Sequence, residues 1–412
     1  MLHFDRFTLS NGLRCLVHHD DATPMVAVNV LYDVGARDED AERTGFAHLF
    51  EHLMFGGSEN IPEYDEPLQV AGGENNAYTT NDITNYYVQL PKQNMETAFW
   101  LESDRMNALA FSTKSLDVQR KVVSEEFKEH YLNKPYGDAW MHLRRLAYKK
   151  HPYQWMTIGK ELKHIEDASL QDVRDFFYKH YRPANAILCV AGNVNTEEVR
   201  EMAEKWFGSI PTGTRTDRNL PTEPAQEGER IETVYADVPL DALYKAWHIG
   251  PRRSPQYYAA DLLTEILGNG FSSRFYQQLV KEKELFSGIQ CYHTGSIDPG
   301  LLVVEGKIIE GKSLDEANAA VEAEVMRLAK DGVSDEELQK AKNKIEAAVA
   351  FEDMSLLNRA ANLAFYELLG DAAMINDELQ RYQAITKEEL QDAARNIFRP
   401  ENCSTVLYRK KE

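Results

Sequence analysis

The chain has 412 residues, of which 43% are hydrophobic and 27% charged, and it carries a net charge of −20. That length implies two or more domains with sizeable cores, and the excess of acid argues against nucleic acid as a partner. No run of 18 apolar residues occurs, so no helical membrane span is expected.

The first residues, MLHFDRFTLSNGLRCLVHHDD, read as strand, turn and strand, without the basic and apolar regions of an export signal. Four cysteines (Cys15, Cys189, Cys291, Cys403) lie scattered, mostly in strand-like runs, with no C-x-x-C spacing, as expected of reduced structural residues. Together these features set an expectation of a cytoplasmic protein. Removal of an export signal upstream would make it periplasmic instead.

The next segment, TGFAHLFEHLMFGGS (Thr44 to Ser58), has the stripe of an amphipathic helix. Phe46, Leu49, Phe50, Leu53 and Met54 fall at i, i+3, i+4, i+7 and i+8, and Gly56 and Gly57 stop the helix. His48, Glu51 and His52 all point away from that stripe. A lone helical histidine is usually just solvated or hydrogen-bonded. Two of them four apart on one face can hold a single ion, most often zinc. A glutamate beside them is placed to take a proton from a metal-bound water. A catalytic zinc needs a third protein ligand, so another element must supply it.

The stretch GGENNAYTT, followed by NDIT and NYYVQL, reads as a Gly-Gly turn leading into a hairpin. An exposed hairpin edge can take up an extended peptide as an added strand. Downstream, SLDVQRKVVSEEFKEHYLN (Ser115 to Asn133) reads as a helix whose apolar stripe runs Leu116, Val123, Phe127, Tyr131, with Val122 flanking. Glu125 lies roughly opposite the stripe, Glu126 sits at its edge with Gln119 two turns below, and Glu129 is intermediate. Helical phase therefore ranks Glu126 ahead of Glu129 and Glu125 as the third ligand, without deciding among them.

Two later segments are alike. From Ile165 and from Ile385 the chain reads Ile, four residues, Leu-Gln-Asp, a helical stretch, Arg-Pro-x-Asn and a strand, at an offset of 220 residues from the first Ile. That points to duplication. Between the halves, Ile210 to Arg230 has linker composition, which divides the chain into 1–209 and 231–412. Strands and long helices alternate irregularly, with hairpin-like pairs, so an α+β fold is expected over a doubly wound parallel sheet. The second half has its own greasy helix, YYAADLLTEILGNG, which contains no histidine.

His48-x-x-Glu51-His52, followed 74 residues later by Glu126 in RKVVSEEF, resembles the pitrilysin-type or inverzincin metallopeptidases. FTLSNGLRCLVHHD, GGENNAYTTNDITNYYVQLP, HPYQWMTIG and GNGFSSRFYQQL match landmarks of that family in its order, over essentially the whole chain. The resemblance implies two homologous α+β halves forming a clamshell around a chamber. It makes His48, His52 and Glu126 the zinc ligands and Glu51 the general base. It also sets Asn76 and Ala77 on an edge strand that binds substrate beside the metal.

Three positions depart from the family pattern. A second glutamate often found seven residues before the ligand is Gln119 here. The Arg and Tyr that many single-chain members carry in the second half, to hold substrate or its tetrahedral intermediate, are Val280 and Ser287. The chain thus looks like the zinc-bearing half of a two-chain enzyme. The expectation is a zinc endopeptidase acting on unfolded peptides, whose homologous partner supplies the Arg and Tyr in a heterodimer. A homodimer in isolation is compatible with that. The rival readings are a non-catalytic scaffold or binding subunit of the same family, and a zinc hydrolase of another class.

Overall fold

The computed structural model describes residues 1–411. The chain forms two compact α+β units. The first contains a six-stranded sheet in the order β1-β2-β6-β3-β5-β4. Its strands are β1 (Asp5–Thr8), β2 (Arg14–His19), β3 (Met25–Tyr32), β4 (Glu74–Thr79), β5 (Thr84–Pro91) and β6 (Ala186–Gly192). The second contains a five-stranded sheet in the order β7-β11-β8-β10-β9. Its strands are β7 (Arg230–Ala236), β8 (Ala242–His248), β9 (Phe286–His293), β10 (Leu301–Ile308) and β11 (Cys403–Lys410).

Strands β2 to β6 correspond one for one with β7 to β11. Each set places its first strand parallel to its last, and every other pairing is antiparallel. The Arg-Pro-x-Asn repeat explains part of this likeness. Asn185 donates from its amide nitrogen to the carbonyls of His180 (2.9 Å) and Asp33 (3.1 Å). Asn402 does the same to Ile397 (2.9 Å) and His248 (3.0 Å). In each unit one buried amide ties the end of a helix (Leu170–His180, Lys387–Ile397) to the end of the strand beside the following one.

The central strands read as nearly continuous apolar runs because both sheet faces are covered. All seven residues of β6 are buried. The two units are not contiguous in sequence. The first is Met1–Phe127, Trp155–Leu220 and Ala350–Asp377, and the second is Lys128–Gln154, Pro221–Val349 and Glu378 onward. The division at 1–209 and 231–412 therefore misses two exchanged segments, each for a packing reason. Helix Ala139–Ala147 buries Ala139, Leu143 and Ala147, an i, i+4, i+8 stripe, against β7, β8 and β11. Helix Leu356–Leu369 covers β3 and β6.

The stretch 211–228 lacks helix and strand, as its composition suggests, but it is tied down. Arg218 pairs with Asp38 at 2.6 Å and with Asp33 at 2.8 Å. Among the described residues no helix is long and apolar enough to cross a membrane.

Candidate metal centre

The motif helix spans Phe46–Leu53, eight residues. Phe46, Ala47, Leu49, Phe50 and Leu53 are buried, while His48, Glu51 and His52 are half-buried on the other face. Gly45 precedes the helix at φ +88°, where a Cβ would stand 2.5 Å from Ile165 Cδ1 and 2.6 Å from the Ile158 carbonyl. No other residue fits there. Glycine cannot cap with a side chain, so the first N–H groups need an outside acceptor. Glu39 provides it, accepting from Gly45 N at Oε2 and from Ala47 N at Oε1, both at 2.8 Å. Burial pushes the Glu39 carboxyl well above its ordinary range, and these two bonds pull against that shift. The helix runs out at Gly56 and Gly57, the latter at φ +96°.

The third element is the helix Thr113–Phe127, which packs on the motif helix. It ends sooner than its sequence suggests and gives way to a π-helical turn, Lys128–Leu132. Glu126 is half-buried and faces the histidines, whereas Glu125 and Glu129 are exposed. Oε1 of Glu126 lies 3.7 Å from His48 Nε2, and its Oε2 lies 3.4 Å from His52 Nε2. One ligand atom from each of the three residues lies within 4.8 Å of the others. Gly56 lets the two helices approach, since a Cβ there would stand 2.8 Å from Ser115 Oγ; Gln119 Nε2 lies 3.9 Å from the same point.

This donor set suits zinc, which favours imidazole nitrogen and carboxylate oxygen at a three-protein-ligand site. Burial pushes the His48 imidazole below its usual pKa against the pull of Glu126, and so toward the neutral form that ligates a metal. Its Nδ1 is buried with no partner, which leaves Nε2 as the atom directed at Glu126.

Glu51 is not one of the three clustered ligand candidates. Its Oε2 accepts the Thr79 hydroxyl at 2.5 Å. Thr79 ends β4, the edge strand of the first sheet and one arm of the β4–β5 hairpin. Asn76 and Ala77 lie mid-strand on that edge, and the Asn76 Oδ1 accepts the Ala77 N–H at 2.8 Å. Val280 lies in the π-helical turn Tyr276–Glu282, partly buried against the second core. Ser287, exposed on β9, donates to the Lys307 carbonyl at 3.2 Å.

Sequence reasoning missed Thr79 and Glu39. A signal existed for Glu39, an acid six residues upstream of a helix that starts at an uncapping glycine. Thr79 carried none, because only the hairpin's return places it over Glu51.

Two α+β units with one strand order, the first carrying an H-x-x-E-H helix, define a class of duplicated metallopeptidase-fold proteins. The chain belongs to peptidase family M16. Residues 14–161 match the family described as Insulinase (Peptidase family M16), and residues 167–345 match Peptidase M16 inactive domain. Zinc protease PqqE of Helicobacter pylori is 29% identical over 97% of this chain and 91% of its own length. A probable mitochondrial-processing peptidase subunit beta of Arabidopsis thaliana is 25% identical over 83% of this chain and 66% of its own. A crystal structure of a protease from Helicobacter pylori superposes with a TM-score of 0.93 at 28% identity, covering 99% of this chain and 100% of that one.

Proposed function

We propose that this chain is a zinc-dependent endopeptidase acting on unfolded peptides, with His48, His52 and Glu126 holding the ion and Glu51 as general base. The observation that carries the reading is the convergence of two imidazoles and one carboxylate on a single point, with a second carboxylate beside them. Zinc bound there would supply a Lewis acid that brings the pKa of water toward about 7. Glu51 accepts the proton and delivers it to the leaving amine. The peptide lies along β4 as an added strand, its backbone bonded at Asn76 and Ala77, and that selects extended over folded substrates. The Asn76 side chain already occupies the Ala77 N–H, so it must swing aside as the peptide carbonyl arrives. The four buried free cysteines support a cytoplasmic setting.

A second reading is favoured by Val280 and Ser287. Neither can donate to a developing oxyanion as Arg and Tyr do, and losing such a donor costs about 10²–10³ in rate. On this account the isolated chain is slow, and a homologous partner with the Arg and Tyr completes it. Measurement of zinc content and peptide turnover, for the chain alone and with such a partner, tests both. The expected result is one zinc per chain, slow hydrolysis alone, and an increase of about 10²–10³ with the partner. Glu51→Gln should keep its zinc and lose at least about 10² in turnover. Zinc-loaded Glu51→Gln with wild-type turnover would remove the base from the mechanism. A zinc-loaded wild type inert with and without the partner would favour a non-catalytic subunit.

A further inference from the structure

The first unit's polar groups include one contact that the mechanism above does not use. Thr79 Oγ1 donates to Glu51 Oε2 at 2.5 Å, and it is the protein donor to that carboxylate among the described residues. We infer that Thr79 is the positioning residue of the base: its hydroxyl pins Oε2, so that Oε1 of Glu51 is the oxygen that takes the proton. The inference rests on the proposed role of Glu51.

Three features of the fold support it. First, the donor is rigid. Thr79 pairs with Thr84 across the hairpin, and the turn behind it is fastened by Thr80 N to the Ile83 carbonyl at 2.8 Å and by the N–H groups of Asp82 and Ile83 to Thr80 Oγ1, both at 3.0 Å. A β-branched side chain on such a strand has few χ1 choices. Second, the acceptor is flexible. A glutamate side chain on a half-buried helix face has three torsions to order, and a hydrogen bond to its charged head is the usual means of ordering it.

Third, the second unit repeats the contact with different chemistry. His293, the last residue of β9, faces Asp261 on the greasy helix Pro255–Gly268, with Nε2 3.1 Å from Oδ1. The fold thus brings the end of each edge strand onto an acid of the helix before it. Where the partner is His293, with Tyr382 donating to the other oxygen at 2.7 Å, Asp261 is held below the usual carboxylate range and makes a poor base. At Glu51 the partner is a single hydroxyl, which orients one oxygen of the carboxylate by a hydrogen bond alone. Thr79 also belongs to the strand on which the peptide is proposed to lie, so seating the substrate and aiming the base depend on one element.

The test uses the full zinc-loaded chain and a quenched fluorogenic peptide with no structure of its own. Thr79→Val is nearly isosteric and lacks the hydroxyl, Thr79→Ser keeps it, and Thr79→Ala gives a second hydroxyl-free variant should the valine disturb folding. A hydrogen bond to a charged group is worth enough that Thr79→Val and Thr79→Ala should lower kcat about 10- to 100-fold. KM and the zinc dissociation constant, read by chelator competition, should stay within about twofold, and Thr79→Ser should recover most of the rate. Wild-type kcat in Thr79→Val, or a Thr79→Ser variant as slow as Thr79→Val, overturns the inference. So does a rate loss accounted for by weakened zinc. Glu51→Gln, assayed alongside, separates the two levels. If it too retains full activity, the base assignment fails; if it alone is inactive, only the role of Thr79 fails.

Discussion

The motif helix Phe46–Leu53 and the helix Pro255–Gly268 hold equivalent places, each following the second strand of its set and leading toward the edge strand. The first is eight residues long, starts at a glycine, and is capped from outside by a buried carboxylate. The second is fourteen residues long, caps itself with Ser254 on the Tyr257 N–H, opens on Pro255 and buries ten of its residues. Its acids are both paired, Asp261 with His293 and Glu265 with Lys344. On the motif helix the polar groups stay half-buried, and Glu51 meets only a neutral hydroxyl. Duplication has kept the sheet order and the asparagine ties. The chemistry depends on a few side chains on one helix face, and an ordinary core helix fills the same place when they are absent.

The largest expected break in that comparison comes from the third ligand. Glu126→Gln should weaken zinc binding by orders of magnitude, because a neutral amide replaces the carboxylate between two imidazoles. Glu125→Gln, one residue away on the exposed face, should leave affinity unchanged within about twofold. Chelator competition on both variants checks this. Metal lost from Glu125→Gln and retained by Glu126→Gln would place the ligand on the wrong side of the helix.

The two caps give a smaller and more graded contrast. Glu39→Gln leaves one buried N–H of the motif helix without an acceptor, a cost of about 1–3 kcal/mol, and slackens the first turn next to His48. Ser254→Ala removes a side-chain cap at the other helix and should cost about 1 kcal/mol. Thermal melts of the zinc-free proteins measure both. Only Glu39→Gln should also weaken zinc. Equal zinc affinity in the two variants would mean that the cap does not shape the site.

These contrasts show what could be read from the sequence alone. The motif helix, the ranking of Glu126 over Glu125 and Glu129, and the β4–β5 hairpin all rest on local periodicity, which the chain displays directly. The repeat was visible in Leu-Gln-Asp and Arg-Pro-x-Asn, and in the second of these the asparagines of both copies keep the same hydrogen-bonding job. The exchange of 128–154 and 350–377 between units was not, since each helix has an ordinary amphipathic stripe and nothing local says which sheet it will cover. Glu39 and Thr79 escaped for a related reason. Their roles arise from contacts of the folded chain, and their neighbours in sequence do not display them.

A contrast of similar size, visible only on acidification, concerns a residue at which the two copies of the repeat differ, His180 in the first unit and Ile397 in the second, both carbonyl partners of the repeat asparagine. His180 is 1% exposed, its Nε2 has no partner, and Nδ1 meets Thr216 Oγ1 at 3.2 Å. Burial first, then the cations Lys179 and Arg218, push its pKa down to about 3. The unfolded chain takes up a proton there near pH 6.5, while the folded chain resists until about pH 3. Stability from this group is therefore fully present above pH 6.5 and is lost as the pH falls toward about 3. At pH 5 one such proton amounts to about 2 kcal/mol. His180→Ile gives the first unit the residue its counterpart already has, so the variant should lose less stability than wild type between pH 7.5 and 5, by about that amount. Denaturant unfolding of the two zinc-free proteins at both pH values measures the difference. Identical losses would mean that His180 is solvated or protonated in the folded chain, and that the first unit resists acid no worse than the second.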